Sequence, residues 1–212
     1  MTTSELRVAD DSGTTLPVMV WRLAAPLLAA STASVGGGLG LRNWVVNAQV
    51  VADYGRCDPE DHVADLALEL GLPGPGVGML TAADVTGARR VVDHQLEVEA
   101  TVGVTHPTWA AEPGDPVDQP DPPGTINVVA FLPERLSDAA LLNALCTATE
   151  AKTQALFNAG VPGTGTASDA LTILCPATGP AHRFGGPRST WGARLARAVH
   201  SAVVDGCRGG TP

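Results

Sequence analysis

Lysine occurs only once in this sequence, at position 152, although lysine and arginine together occur 13 times. Lys152 lies in a run where apolar residues recur every three or four positions, which predicts that it projects from the apolar face of a helix. The other members of that face are Leu141, Leu145, Ala148 and Ala155. A lysine facing inward must extend its ammonium to water, pair with an anion, or exchange a proton in a reaction. Lys152 is therefore a candidate catalytic base and acid, and a core-edge lysine that reaches solvent is the alternative.

The segment GTGTASDA, residues 163–170, places three hydroxyl groups and one carboxylate among glycines. Its glycine spacing is similar to that of nucleotide-binding loops, but those loops follow a strand and precede a helix. The reverse order is predicted here, so we do not expect phosphate binding. Two interpretations stay open, a turn whose polar side chains bond to its own backbone and a catalytic loop. In the second interpretation Ser168 supplies a hydroxyl, Asp169 an acceptor and Thr166 a further hydrogen bond.

Polar residues also interrupt three segments that are otherwise apolar. In MLTAADV, Thr81 lies at the end of a predicted strand and Asp84 follows it near a predicted helix start, where Asp84 needs no role beyond capping the helix. Thr125 and Asn127 belong to GTIN, at the start of another predicted strand, and Asn47 lies within a third. A buried asparagine must be paired, so Asn127 is either a structural link or a ligand contact.

Composition excludes several classes of protein. A net charge of -9 without clusters of basic residues argues against nucleic-acid binding. The four cysteines are widely spaced and no histidine lies at zinc-finger spacing, so we expect no metal site. The most apolar N-terminal run, residues 16–41, contains arginine, proline and three consecutive glycines and has no basic start. We expect neither a signal peptide nor a membrane span, so we predict a cytoplasmic protein. The sequence leaves open whether the protein forms a homo-oligomer.

The pattern of apolar residues, glycines and prolines predicts one α+β domain, a sandwich with a mixed β-sheet and packed helices. Strands are predicted at 16–21, 44–51, 76–82, 96–105, 125–132 and 170–175. Helices are predicted at 59–71, 83–95, 137–159 and 190–205. Residues 106–124 are dense in proline, glycine and aspartate, which predicts a surface loop long enough to act as a lid.

Seven segments together resemble the adenosylcobinamide amidohydrolase family of cobamide salvage. They are GGGLGLRNWVVNAQV, GVGMLTAADV, TVGVTHP, GTINVVAFL, LLNALCTATEAKTQAL, GTGTASDALTI and GGPRSTWG. The resemblance extends from about residue 31 to residue 204 and keeps all seven segments in register. Ser168 stands where the family more often has threonine, a change that retains the hydroxyl.

The resemblance implies hydrolysis of adenosylcobinamide, a corrinoid with aminopropanol on an amide, to adenosylcobyric acid and aminopropanol. No cofactor is expected, because the corrinoid's cobalt belongs to the substrate. Amide hydrolysis needs attack on the carbonyl, stabilisation of the oxyanion and a proton for the amine. We hypothesise that Lys152 is base and then acid, and that Ser168, Thr81 or a water attacks. Asp169 or Asp84 would orient the nucleophile.

Four further residues are expected to hydrogen-bond to the corrinoid's amides or to the oxyanion. They are Asn47, Thr125, Asn127 and Thr166. A corrinoid-binding protein without catalytic activity and an amidase for a different amide are the alternatives.

Overall fold

The computed structural model describes residues 4–11, 13–113 and 124–209. Within these ranges the chain forms eight β-strands and three α-helices. The strands are β1 (Glu5–Asp11), β2 (Thr14–Ser31), β3 (Gly38–Gln49), β4 (Gly76–Thr81), β5 (Arg89–Asp93), β6 (Leu96–Val102), β7 (Ile126–Phe131) and β8 (Ala170–Pro176). The helices are α1 (Pro59–Glu69), α2 (Asp138–Asn158) and α3 (Thr190–Gly209). None of these helices is long and apolar enough to cross a membrane.

The strands form one sheet in the order β4-β3-β2-β8-β7-β6-β5, with β1 added beside β2. The β3–β4 and β7–β8 pairs are parallel, and the other pairs are antiparallel. Because both orientations occur and helices pack on the strands, the predicted α+β sandwich with a mixed sheet is confirmed.

Strand β2 takes part in two layers of the sandwich. Its register with β3 shifts between Arg22 and Leu27, and such an irregularity bends a strand. The part before the shift pairs with β1, and the part after it pairs with β8. Trp21 Nε1 on β2 donates a hydrogen bond to Glu99 Oε1 on β6 at 3.3 Å, although β8 and β7 separate these two strands in the sheet order. The sheet therefore folds back on itself.

Apolar side chains fill three spaces in this arrangement. One cluster lies between the two halves of the sheet and includes Val45 and Leu174. A second joins α2 and α3 to the outer face of β6, β7 and β8, with Leu141 and Leu195 among its members. A third places Val63 of α1 against β2 and β3. The order of layers is helix, sheet, sheet, helix, and burial of these apolar side chains is its main driving force.

Helix α2 begins and ends where the sequence predicts. The Ser137 hydroxyl accepts a hydrogen bond from the Ala140 amide at 3.3 Å, and Gly160 follows the helix with a φ of 76°. Lys152 is buried on the inner face of α2, together with Ala148 and Ala155, as predicted.

Gly185 in the GGPRSTWG segment has a structural explanation, since a Cβ on this residue would collide with a main-chain oxygen of α2.

The helix predicted at 83–95 is wrong. Residues Val85–Gly87 form a single 3₁₀ turn, and the next residues form β5, which pairs with β6. The connecting residues His94 and Gln95 have φ values of 48° and 70°, which is the backbone of a two-residue hairpin turn. Glycine and asparagine are the usual residues of such turns, so His94 and Gln95 gave no signal for a hairpin.

Other elements also differ from the predictions, and β2 extends to Ser31, ten residues beyond the strand predicted at 16–21. Strand β1 was not predicted, and α3 continues through Gly206, where it was expected to end. Asp58 directly precedes α1, and aspartate at that position is expected to cap a helix, but it makes no side-chain cap because its carboxylate binds Arg56 at 2.8 and 2.9 Å. In the predicted surface loop, Thr108 forms an isolated antiparallel β-bridge with Gly165. Residues 114–123 of this loop lie outside the described ranges. The lid hypothesis thus stays a prediction.

Candidate active site

A cavity of about 390 Å³ lies at one end of the sandwich, where several strands begin or end, and is called the strand-end cavity below. Thr81 at the end of β4 contributes to its wall, as do Thr125 and Asn127 at the start of β7. Ser168 and Asp169, in the loop before β8, line the same cavity. The fold therefore brings five predicted site residues from three separate segments to one place.

Asp169 is the most heavily bonded polar group of this region. Its Oδ2 accepts hydrogen bonds from Lys152 Nζ and, at 3.1 Å, from the Thr166 amide. Its Oδ1 accepts from the Thr166 hydroxyl at 2.5 Å and from the Ile126 amide at 2.9 Å. A carboxylate offers about four acceptor positions, so protein donors occupy all those of Asp169. Asp169 thereby ties α2, β7 and its own loop together, which leaves it no position for a nucleophile's proton.

Lys152 does not line the strand-end cavity. Its side chain is 7% exposed, forms an ion pair with Asp169, and contributes to the wall of a smaller cavity of about 210 Å³. Of the options for an inward-facing lysine, the structure shows pairing with an anion. No hydrogen bond joins Lys152 to Ser168 in the described part of the chain.

Ser168 carries a hydroxyl that is exposed in the cavity wall. Its Oγ lies 2.8 Å from Thr125 Oγ1 and 3.4 Å from the carbonyl oxygen of Gly124. Because a carbonyl only accepts, Ser168 donates to Gly124 and Thr125 is the donor within the hydroxyl pair. Thr125 thus holds Ser168 Oγ in a fixed position facing the cavity.

A chain of carboxamides crosses the inside of the sandwich next to the cavity. Asn127 Nδ2 donates to Asn47 Oδ1 at 2.8 Å and to the Leu80 carbonyl at 3.2 Å. Asn47 Nδ2 donates to Thr101 Oγ1 at 3.0 Å. Asn47 is thus a buried link behind Asn127, and only Asn127 lines the cavity.

Asp84 and Thr166 lie away from the strand-end cavity. Asp84 accepts from the Thr86 amide at 2.9 Å and lines a different concavity, so the capping role explains it fully. Thr166 is buried and, besides bonding to Asp169, lines the smaller cavity next to Lys152. The structure does not bring Asp84 together with Ser168 or Lys152.

Tyr54 and His62 are candidates that were not among the predicted site residues. Tyr54, the only tyrosine of the chain, lines the strand-end cavity. Its hydroxyl lies 2.9 Å from Nδ1 of His62, and the two rings are stacked with centroids 5.5 Å apart. His62 is buried on α1. The only signals in the sequence were the single tyrosine and a histidine on the inner face of α1.

The described residues offer no cluster of three histidine, cysteine, aspartate or glutamate side chains that could hold a metal ion. Burial raises the pKa of the Cys175 and Cys207 thiols, which disfavours their thiolate forms as nucleophiles. Among the described residues, no cysteine or lysine lines the strand-end cavity, and the Asp169 carboxylate there is fully bonded. Hydroxyl groups are therefore the nucleophiles that these residues present to the cavity.

Comparisons with known proteins agree with the resemblance found in the sequence. A sequence model of the family described as adenosylcobinamide amidohydrolase matches residues 2–211. A protein named adenosylcobinamide amidohydrolase from Halobacterium salinarum is 33% identical over 199 residues, which cover 90% of this chain and 84% of that relative. One of the same name from Methanosarcina mazei is 26% identical over 186 residues, which cover 84% of this chain and 88% of that relative. The match to the family model includes every strand and helix described above.

The hydrogen bonds of Asp169 lead to a stability prediction. Asp169→Ala leaves a buried ammonium without its anion and two main-chain amides without an acceptor, whereas Lys152→Met leaves Asp169 with three protein donors. We expect Asp169→Ala to lower the free energy of unfolding by roughly 2 kcal/mol or more beyond the effect of Lys152→Met. Urea unfolding of both variants measures this difference.

Asp205→Ala is the matched control, because Asp205 is exposed and its ion pair with Arg208 is loose at 3.9 Å. We expect this change to alter the free energy of unfolding by less than about 0.5 kcal/mol. Equal losses for Asp169→Ala and Lys152→Met would show that Asp169 matters only as the partner of Lys152.

Proposed function

The chain belongs to the adenosylcobinamide amidohydrolase family, and we propose that it hydrolyses the aminopropanol amide of adenosylcobinamide to adenosylcobyric acid and aminopropanol, in cobamide salvage. The observation that carries the proposal is the strand-end cavity, whose wall presents hydroxyl and carboxamide groups from segments that also carry the family resemblance. These are the groups that bind and attack an amide.

The size of the cavity limits which part of the substrate enters it. Pockets that enclose a whole drug-sized ligand have volumes of roughly 300–1,000 Å³, and a corrinoid with its adenosyl ligand is much larger than such a ligand. A cavity of about 390 Å³ therefore accepts one side arm. We place the aminopropanol arm with its amide inside the cavity and the corrin ring at the mouth.

Ser168 is the proposed nucleophile. Its hydroxyl faces the cavity and is held by Thr125 at 2.8 Å. Attack of Oγ on the amide carbon would form an ester with the adenosylcobyric acid moiety and release aminopropanol. A water would then hydrolyse the ester and restore the serine.

Proton transfer is assigned to Tyr54 and His62. In the reaction the Ser168 proton would turn away from the Gly124 carbonyl and pass to Tyr54 Oη, while the phenol proton passes to His62 Nδ1. The reverse transfers would protonate the departing amine. The contact of 2.9 Å between Tyr54 and His62 suits such a relay, and Tyr54 lines the same cavity as Ser168. The Tyr54–His62 pair thus supplies the base and the acid in turn.

Lys152 is the rival for proton transfer, as the sequence suggested. The geometry favours Tyr54, because Lys152 lies outside the cavity wall and donates to a carboxylate that is already fully bonded. Under this proposal the Lys152–Asp169 pair positions the loop that carries Ser168.

The activity itself is tested by incubating the protein with adenosylcobinamide and following adenosylcobyric acid and free aminopropanol by mass spectrometry. We expect both products in equal amounts with the wild type and neither with Ser168→Ala. Binding of the corrinoid without either product would support a binding protein instead, and cleavage of unrelated amides only would support a different amidase.

Single substitutions distinguish the two candidate proton carriers. Tyr54→Phe keeps the stacked ring and removes the hydroxyl, so we expect kcat to fall by roughly 100-fold or more. Lys152→Arg keeps the positive charge beside Asp169 but cannot deprotonate, so we expect kcat within about tenfold of the wild type. The opposite ranking of the two variants in steady-state kinetics would return the proton transfer to Lys152.

A further inference from the structure

We infer that the strand-end cavity recognises the scissile amide by its N–H group, which Asn127 Oδ1 accepts, while the Thr81 hydroxyl donates to the amide carbonyl oxygen. The inference rests on the proposed function and adds a specificity to it. The enzyme should require a substrate bond that carries both an acceptor oxygen and a donor nitrogen.

The orientation of the Asn127 carboxamide follows from one main-chain group. The atom of Asn127 that lies 3.2 Å from the Leu80 carbonyl must be the nitrogen, because a carbonyl oxygen cannot donate. The same nitrogen lies 2.8 Å from Asn47, so Asn47 presents its oxygen there and its nitrogen to Thr101. The remaining polar atom of Asn127 is therefore the acceptor Oδ1.

This acceptor is left without a donor. Asn127 is 1% exposed and lines the cavity, and its Oδ1 is buried with no hydrogen-bond partner among the described residues. An unpaired buried acceptor is unfavourable, and most such atoms in folded proteins have partners. A donor supplied by a ligand in the cavity would satisfy it. An amide N–H is such a donor, and an oxyanion is not.

Thr81 supplies the complementary donor. Its Oγ1 accepts a hydrogen bond from the Ala83 amide at 3.0 Å, so the oxygen is engaged as an acceptor while its own proton has no acceptor in the described part of the chain. Thr81 is 1% exposed and lines the same cavity. It also directly follows Leu80, the residue whose carbonyl orients Asn127. Thr81 and Asn127 thus offer a donor and an acceptor to the same cavity.

An ester of the same shape should be handled poorly by this pair. The ester oxygen that replaces the amide nitrogen has lone pairs where Asn127 Oδ1 needs a proton. Sites built to hydrogen-bond a substrate group discriminate strongly against analogues that lack it. The Asn127 carboxamide would therefore matter for cleavage of the amide and hardly at all for cleavage of the ester.

The test compares two substrates, adenosylcobinamide and the analogue in which oxygen replaces the nitrogen of the aminopropanol amide. For Asn127→Ala we expect kcat/KM for the amide to fall by about tenfold or more, and kcat/KM for the ester to change by less than about threefold. Asn143→Ala, on an exposed asparagine of α2 outside this cavity, is the matched control and should leave both values unchanged. Equal losses on both substrates would make Asn127 a structural residue and overturn the inference.

A second measurement leaves Asn127 in place, so it holds even where Asn127→Ala does not fold. The N-methylamide and the methyl ester of adenosylcobyric acid are compared as ligands of the Ser168→Ala variant, which lacks the proposed nucleophile and so leaves both bonds intact. We expect the amide to bind about tenfold more tightly or better, and equal dissociation constants would overturn the inference. A wild type that cleaves neither substrate, and so fails the product assay, would instead remove the proposed function.

Discussion

The Asp169 carboxylate is the interaction on which the site depends. Four donors from three elements meet its two oxygens, so the C-terminal half of α2, the start of β7 and the loop before β8 have one fixed arrangement. Ser168 immediately precedes Asp169, and Thr125 immediately precedes Ile126, whose amide is one of the four donors. The contact between the Ser168 and Thr125 hydroxyls is thereby a consequence of the bonding of Asp169. Buried ion pairs contribute little net stability but can specify one geometry, which is the role that we assign to Lys152.

The layered fold explains why the chemistry lies at the strand ends. The two halves of the sheet face each other across an apolar interior, where polar groups must be paired. Asn47 and Thr101 satisfy this requirement by bonding to each other, with Asn127 at the end of the row nearest the cavity. Only at that end can an unpaired acceptor be satisfied by a ligand. The sandwich thus provides rigid support, and the loops that follow or precede its strands provide the reactive groups.

Much of this arrangement could be predicted from the sequence, because it follows from local signals. The sequence shows the apolar face of α2, the serine that caps it and the glycine that ends it, and together these predict that Lys152 faces inward. The hairpin at His94 and Gln95 could not be predicted, because the pairing of β5 with β6, rather than typical turn residues, imposes its backbone conformation. The sequence placed Lys152 on a helix and Asp169 in a loop, but it could not show that the two side chains meet. The contact of Tyr54 with His62 joins residues only eight positions apart, but it depends on how the loop before α1 folds back on the helix, and no sequence pattern indicates that.

The claim that an Asp169-organised cavity binds the scissile amide is tested most directly by a crystal structure of the Ser168→Ala variant with adenosylcobinamide. The account requires the aminopropanol arm in the strand-end cavity, with the amide nitrogen within hydrogen-bond distance of Asn127 Oδ1 and the carbonyl oxygen within that distance of Thr81 Oγ1. An arm that enters the smaller cavity beside Lys152, or a corrinoid bound elsewhere on the protein, would contradict it.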